Sequence, residues 1–181
     1  MVRLGGTPLG SEIAFAQARL ALKPWSPTDL VIQGVDGELR TVRVKPISSS
    51  AYRAYRQSGL LVEPVSAGSD EGLVRGSCLA LHRAYTGQED GAPQVYMQGV
   101  LRVTHVSGDV DEPSVVSPGD LLMGVETYRL GAKVDTYELV RFEGLPDLTR
   151  AFDPAAGGEI ACWVYSNGEM LRVPIPIKRV R

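Results

Sequence analysis

The sequence predicts an α+β fold that is mainly β, and three observations predict it. Apolar runs of strand length are bounded by turn pairs at Asp36-Gly37, Pro118-Gly119 and Asn167-Gly168. Only a few segments carry helical spacing. The order short strand, helix, hairpin occurs almost twice: residues 2–6, 11–22 and 29–46, then residues 121–126, 136–152 and 159–177. With 44% hydrophobic and 22% charged residues in 181, the chain is long and apolar enough to bury a real core.

Taken in order, residues 2–6 read as a strand. Residues 11–22 read as a helix, with Ser11 as N-cap and Ile13, Ala16 and Leu20 near one face. Lys23-Pro24 and Ser26-Pro27 end it, because a residue before proline is pushed away from helical dihedrals. A hairpin follows, with Leu30, Ile32, Leu39, Val42 and Val44 as its apolar positions and Asp36-Gly37 as a two-residue turn. Residues 46–50 mark a boundary, and residues 51–57 form a short helical connector.

Residues 60–65 read as a strand. Residues 66–93 are an insertion, with a helical turn around Cys78 and Leu81 between polar, Gly-rich stretches. From Gly99 a β-rich run carries Val100, Leu101, Val103 and Val106; a loop over 108–117 leads through Ser117-Pro118-Gly119-Asp120 into a strand at 121–126. Residues 136–143 read as a helix, with Asp135 as N-cap and Glu138 three residues later in a capping-box arrangement. Residues 148–152 extend or follow it until Asp153-Pro154, and residues 159–177 close with a hairpin. This divides the chain into 1–46, a connector at 47–59, and 60–181. The first part has the second half of the repeated pattern without its first half, so the chain is expected to begin inside a domain.

The run 99–106, the turn and strand 117–125, the helix around Tyr137-Glu138-Leu139-Val140 and the terminal hairpin together resemble a bacterial PDZ domain. The type is the one that follows the protease domain in Do-like (HtrA) serine proteases. The resemblance implies a partly open β-barrel with one principal helix over 60–181, preceded by the helix and hairpin of a second, partial PDZ domain. It implies binding of extended or C-terminal peptides, or of unfolded protein segments, by strand addition. The guest would lie along residues 99–103, its carboxylate at Gln98, Gly99, Val100 and Leu101, with side chains against Leu101 and Val103. The helix wall would come from Thr136, Tyr137, Val140 and Arg141. The parent would be a trypsin-like protease of the cell envelope with its catalytic domain upstream. A scaffolding protein, or an oligomerisation module with an occluded groove, are the alternatives.

The residues themselves carry no catalytic, metal or cofactor pattern. Gly76-Ser77-Cys78 lacks the surroundings of a nucleophile, and Cys78 with His82 four residues on reads as packing. His82 and His105 are the two histidines, without carboxylates at ligand spacing. Cys78 and Cys162 read as buried thiols. The net charge of -2 and the scattered aromatics give nucleic acid no platform, and no apolar run reaches the roughly 18 residues of a membrane span.

Overall fold

Turn chemistry decides where each strand of the computed structural model stops. It describes residues 2–4, 6–65, 68, 70–87, 99–107, 115–129, 136–142 and 144–180, with only the backbone at 128–129 and 136–138. The chain divides into two units, Met1–Ser48 and Ser49–Arg181.

In the first unit, β1 (Arg3–Leu4) turns through Gly6 at φ 84° into β2 (Thr7–Pro8). Helix α1 (Glu12–Ala21) starts as predicted: the Ser11 side chain accepts from the Ala14 N–H at 3.1 Å. Strands β3 (Thr28–Gln33) and β4 (Leu39–Val44) form the predicted hairpin. Its turn is a five-residue loop instead of a two-residue one. Gly34 N–H donates to the Glu38 carbonyl at 2.8 Å, and the Asp36 carboxylate accepts from the Glu38 N–H and from Arg40. The sheet order is β2-β1-β3-β4.

The second unit opens with α2 (Ser49–Ser58), which buries Ala51, Ala54, Gln57 and Ser58 and packs on β5 (Leu60–Pro64). The insertion holds α3 (Glu71–Thr86), four turns long. Its Val74, Cys78 and Leu81, at helical spacing, enter a core cluster with Val100, Leu121 and Met123. Then come β6 (Leu101–Val106), β7 (Leu121–Arg129) and β8 (Thr136–Arg141). Helix α4 (Leu145–Phe152), a 3-10 turn at Asp153–Ala155, β9 (Gly158–Ser166) and β10 (Glu169–Ile177) complete it. All pairings are antiparallel, in the order β10-β9-β7-β6-β5, with β8 on β7.

Strand alternation separates two faces of this sheet. Trp163, Tyr165 and Met170 pack on the α3 cluster. The alternate residues Ile160, Cys162, Val164, Val173, Ile175 and Ile177 are buried on the opposite face. There α2 packs on β10 and on α4. The fold is thus α+β and mainly β, as predicted. Among the described residues, 60–181 carries two α-helices, α3 and α4, in place of one principal helix, and the two sheets are open with no closed barrel.

One predicted element changes type. Residues 136–141 are strand β8, not a helix, and pair residue by residue with β7 from Arg129↔Thr136 to Gly124↔Arg141. Pairing satisfies the β7 backbone groups on that side, a demand a helix would leave unmet. Thr, Tyr and Val in the segment suit a pleated strand. Asp135, the predicted N-cap, lies outside the described residues. The helix that follows the turn and strand is α4, eight residues long, where only its last half was expected.

The pattern repetition holds at the level of topology. The sheet order β2-β1-β3-β4 with α1 before the hairpin recurs as β8-β7-β9-β10 with α4 before the hairpin.

Candidate functional site

The Pro118-Gly119-Asp120 turn is built to dock on β6. Gly119 adopts φ 103°, a region that favours glycine, and the nearly buried Asp120 carboxylate accepts from the Ser117 N–H at 2.8 Å. Gly119 N–H then donates to the Val103 carbonyl, and Val103 N–H to the Asp120 carbonyl, both at 2.8 Å. On its other edge β6 pairs with β5, Leu101 opposite Pro64 and Val103 opposite Val62. Leu101 also faces Leu122 of β7.

Residues 101–103 are therefore bonded to strands on both sides, and the guest-strand position predicted there is taken. Leu101 and Val103 are fully buried, and Val100 lies in the α3 cluster with its carbonyl accepting from Val65 N–H at 3.0 Å. Gly99 keeps a left-handed φ of 81° at the entrance to the strand. Gln98 lies outside the described residues. Thr136 and Tyr137 stand in β8 opposite Arg129 and Tyr128, so the helix wall predicted from 136–141 does not exist.

Two of the predicted residues do share a groove. Val140 and Arg141 from β8, with Thr127 from β7, form one side; Asp147, Arg150 and Ala151 of α4 form the other, and Pro154 closes an end. The groove holds about 400 Å³. Beyond Thr127, Ala151 and Pro154 it continues into a depression of about 550 Å³, bounded by β9 and β10. Gly124 allows β8 to come this close: a Cβ there would lie 2.9 Å from Leu139 Cδ1 and 2.9 Å from the Val140 carbonyl oxygen. The far edge of β8 is held by α3, whose Tyr85 hydroxyl accepts from the Leu139 N–H at 3.3 Å.

The charges along this groove are mostly paired within it. Asp147 meets Arg150 at 2.9 Å across one turn of α4. Deeper in, Glu126 accepts from Trp163 Nε1 at 3.0 Å and from Arg172 Nε and a terminal nitrogen at 2.9 and 2.7 Å. The hydrogen bonds from Arg172 hold the Glu126 carboxyl below its ordinary range, against the opposing effect of burial. Arg141 hydrogen-bonds Cys78, yet burial dominates and pushes that thiol up. Among the described residues, no three of His, Cys, Asp and Glu converge on a metal-sized site. No described helix is long and apolar enough to cross a membrane.

Sequence reasoning missed the α4 side of the groove because α4 was read only as a tail to another helix. Its Leu145, Leu148 and Phe152, spaced three and four apart, were the available signal. No family model, no curated protein and no solved structure matches the chain.

Proposed function

We propose that the chain is a polypeptide-binding module whose site is the groove between β7–β8 and α4. One observation carries this reading: Val140 and Arg141 line, together with Ala151 and Arg150, an open channel of about 400 Å³ between a strand and a helix. Its lining mixes the apolar Val140, Ala151 and Pro154 with the polar Thr127, Arg141, Asp147 and Arg150, a combination that suits a short extended segment. The PDZ resemblance is compatible with it in kind, with the guest on a different strand. In that reading the chain is the recognition or regulatory part of a Do-like serine protease of the cell envelope, and carries no catalytic centre of its own.

Titration of the full chain with a library of C-terminal decapeptides, followed by amide shifts, tests the proposal. Binding peptides are expected to move Val140, Arg141 and Ala151. Ala151→Trp, which fills the channel from the helix side, should abolish binding with the fold intact, and so should Val140→Glu, which places a charge in an apolar site. Binding unaffected by both substitutions removes the groove from consideration. Turnover of unfolded casein by this chain would contradict the binding-only reading.

A second reading, assembly in place of ligand capture, draws on the first unit. There Ile13, Phe15 and Leu20 of α1 are exposed at 72%, 50% and 82%. Ile13 and Leu20, seven apart, share one face of α1, and an exposed apolar stripe is the kind of surface that subunit contacts cover. Sedimentation across a hundredfold concentration range separates the two readings.

A further inference from the structure

Helix α1 has one inward position and one unclaimed face. Ala18 is its buried residue. At helical spacing the face opposite Ala18 carries Ile13, Ala16 and Leu20, and all three are exposed. Glu12 and Arg19 each precede an apolar end of this stripe by one residue, so both lie on the same flank of it. Gln17 lies on the other flank, near the middle.

Glu12 and Arg19 are both exposed, and neither finds an opposite charge. Seven residues place them about 10 Å apart along the axis, too far for a contact within one helix. The positions three and four residues from each, inside α1, are Phe15 and Ala16, which carry no charge. Among the described residues no ion pair includes either one.

The pattern is complementary to itself. Take a two-fold axis lying in the interface, at right angles to α1 and level with Ala16 and Gln17. It lays Ile13 against Leu20 of a second copy, and Leu20 against that copy's Ile13. The same rotation keeps each flank on its own side, so Glu12 meets Arg19 of the second copy and Arg19 meets its Glu12. Ale-sized side chains at the centre, from Ala16, let the two backbones approach. A partner with a uniformly apolar or singly charged surface would match the stripe and leave one of the two charges opposed or unmet.

We propose that the exposed face of α1 pairs antiparallel with the same face of a second copy of this chain. The inference rests on the assembly reading, to which it adds the partner and the register, and it does not involve the α4 groove. The contact is isologous, each residue pair occurring twice. Three helical turns on each side make a small interface, so the pair is reversible and dependent on concentration.

Sedimentation of the full chain over a wide concentration range should show a monomer–dimer equilibrium. Leu20→Gln changes an exposed position without loss of helix propensity and should weaken the dimer at least about tenfold. Glu12→Arg and Arg19→Glu, each alone, set like charges across the axis twice and should also weaken it about tenfold. An equal mixture of these two variants should recover dimers to within about threefold of the parent, because opposite signs meet again in the mixed pair. Misfolded variants would not recover on mixing. A monomer at every concentration overturns the proposal and the assembly reading together. A dimer indifferent to Leu20→Gln, or to both charge variants, overturns the proposal and leaves assembly through another surface. Weakening by both charge variants with no recovery on mixing overturns the antiparallel register, and the proposal with it.

Discussion

The two units share an element order and differ in what covers it. Both contain β-β-α-β-β with the hairpin strands beside the first strand. Among the described residues of Met1–Ser48 the buried apolar residues are Leu4 and Ala18. In Ser49–Arg181 the corresponding elements bury Leu121, Leu122, Val125, Leu148, Phe152, Cys162 and Val164. The second unit adds α2, β5, α3 and β6, which supply a layer on each face of the sheet. The repeated pattern is therefore a scaffold whose stability comes from what is packed on it. This follows from the area argument for small domains: too little apolar surface leaves water to offset chain entropy.

Substitution in the two helices breaks the comparison most directly. Phe152→Ala in α4 removes a fully buried ring and should cost about 3–5 kcal/mol. Leu20→Ala, near the end of α1, should stay within about 0.5 kcal/mol, because Leu20 is 82% exposed. Each unit has one tryptophan, Trp25 or Trp163, so urea unfolding followed by fluorescence in Trp25→Phe and Trp163→Phe backgrounds reads each unit separately. Equal costs in the two helices would contradict the difference in burial.

Glycines sharpen it next. Gly124→Ala forces a methyl against Leu139 and the Val140 backbone and should cost about 1–3 kcal/mol, whereas Gly10→Ala meets open space and should be nearly neutral. Thermal melts of both variants decide this.

The acid limb of stability comes third. Glu126 titrates below its ordinary range in the folded chain. Its contribution is complete above the unfolded value, about 4.3, and disappears as pH falls through the folded one. Glu126→Gln should cost the second unit about 1–2 kcal/mol at neutral pH and flatten its loss of stability below about pH 4.5. Urea midpoints from pH 3 to 7, read by Trp163, check the sign.

The smallest effects concern helix starts. Ser11→Ala should cost α1 about 1 kcal/mol or less, since it removes the bond to Ala14 N–H. The equivalent position before α4 is Gly144, extended and without a side-chain cap, with room for a Cβ. Gly144→Ser should add a few tenths of a kcal/mol, a gain visible in the midpoint of the second unit.

What was legible in the sequence was local. Ser11 and the prolines at 24 and 27 bounded α1, and Asn167-Gly168, at φ 51° and 92°, marked the last hairpin. The misreadings came where distant partners decide. Residues 135–138 imitate a helix start, and only the β7 edge makes 136–141 a strand. Helix α3 was reduced to a turn because Gly72 and Gly76 weaken its local propensity; its Val74-Cys78-Leu81 stripe counts once a sheet lies under it. The guest position on 99–103 failed for the same kind of reason. Whether a strand has a neighbour on both edges is a property of the sheet, and no residue in the strand announces it.

Cys78 sits on the sheet-facing side of α3, and Cys162 points to the opposite side of the sheet. The sheet between them keeps the two sulfurs from forming an internal bridge. Each is sealed, and desolvation raises both thiols. A small alkylating reagent can thus modify either one only after its own layer has lifted. Single-cysteine variants turn the molecule into two independent clocks, one timing the departure of α3 and the other that of the α2–α4 pair.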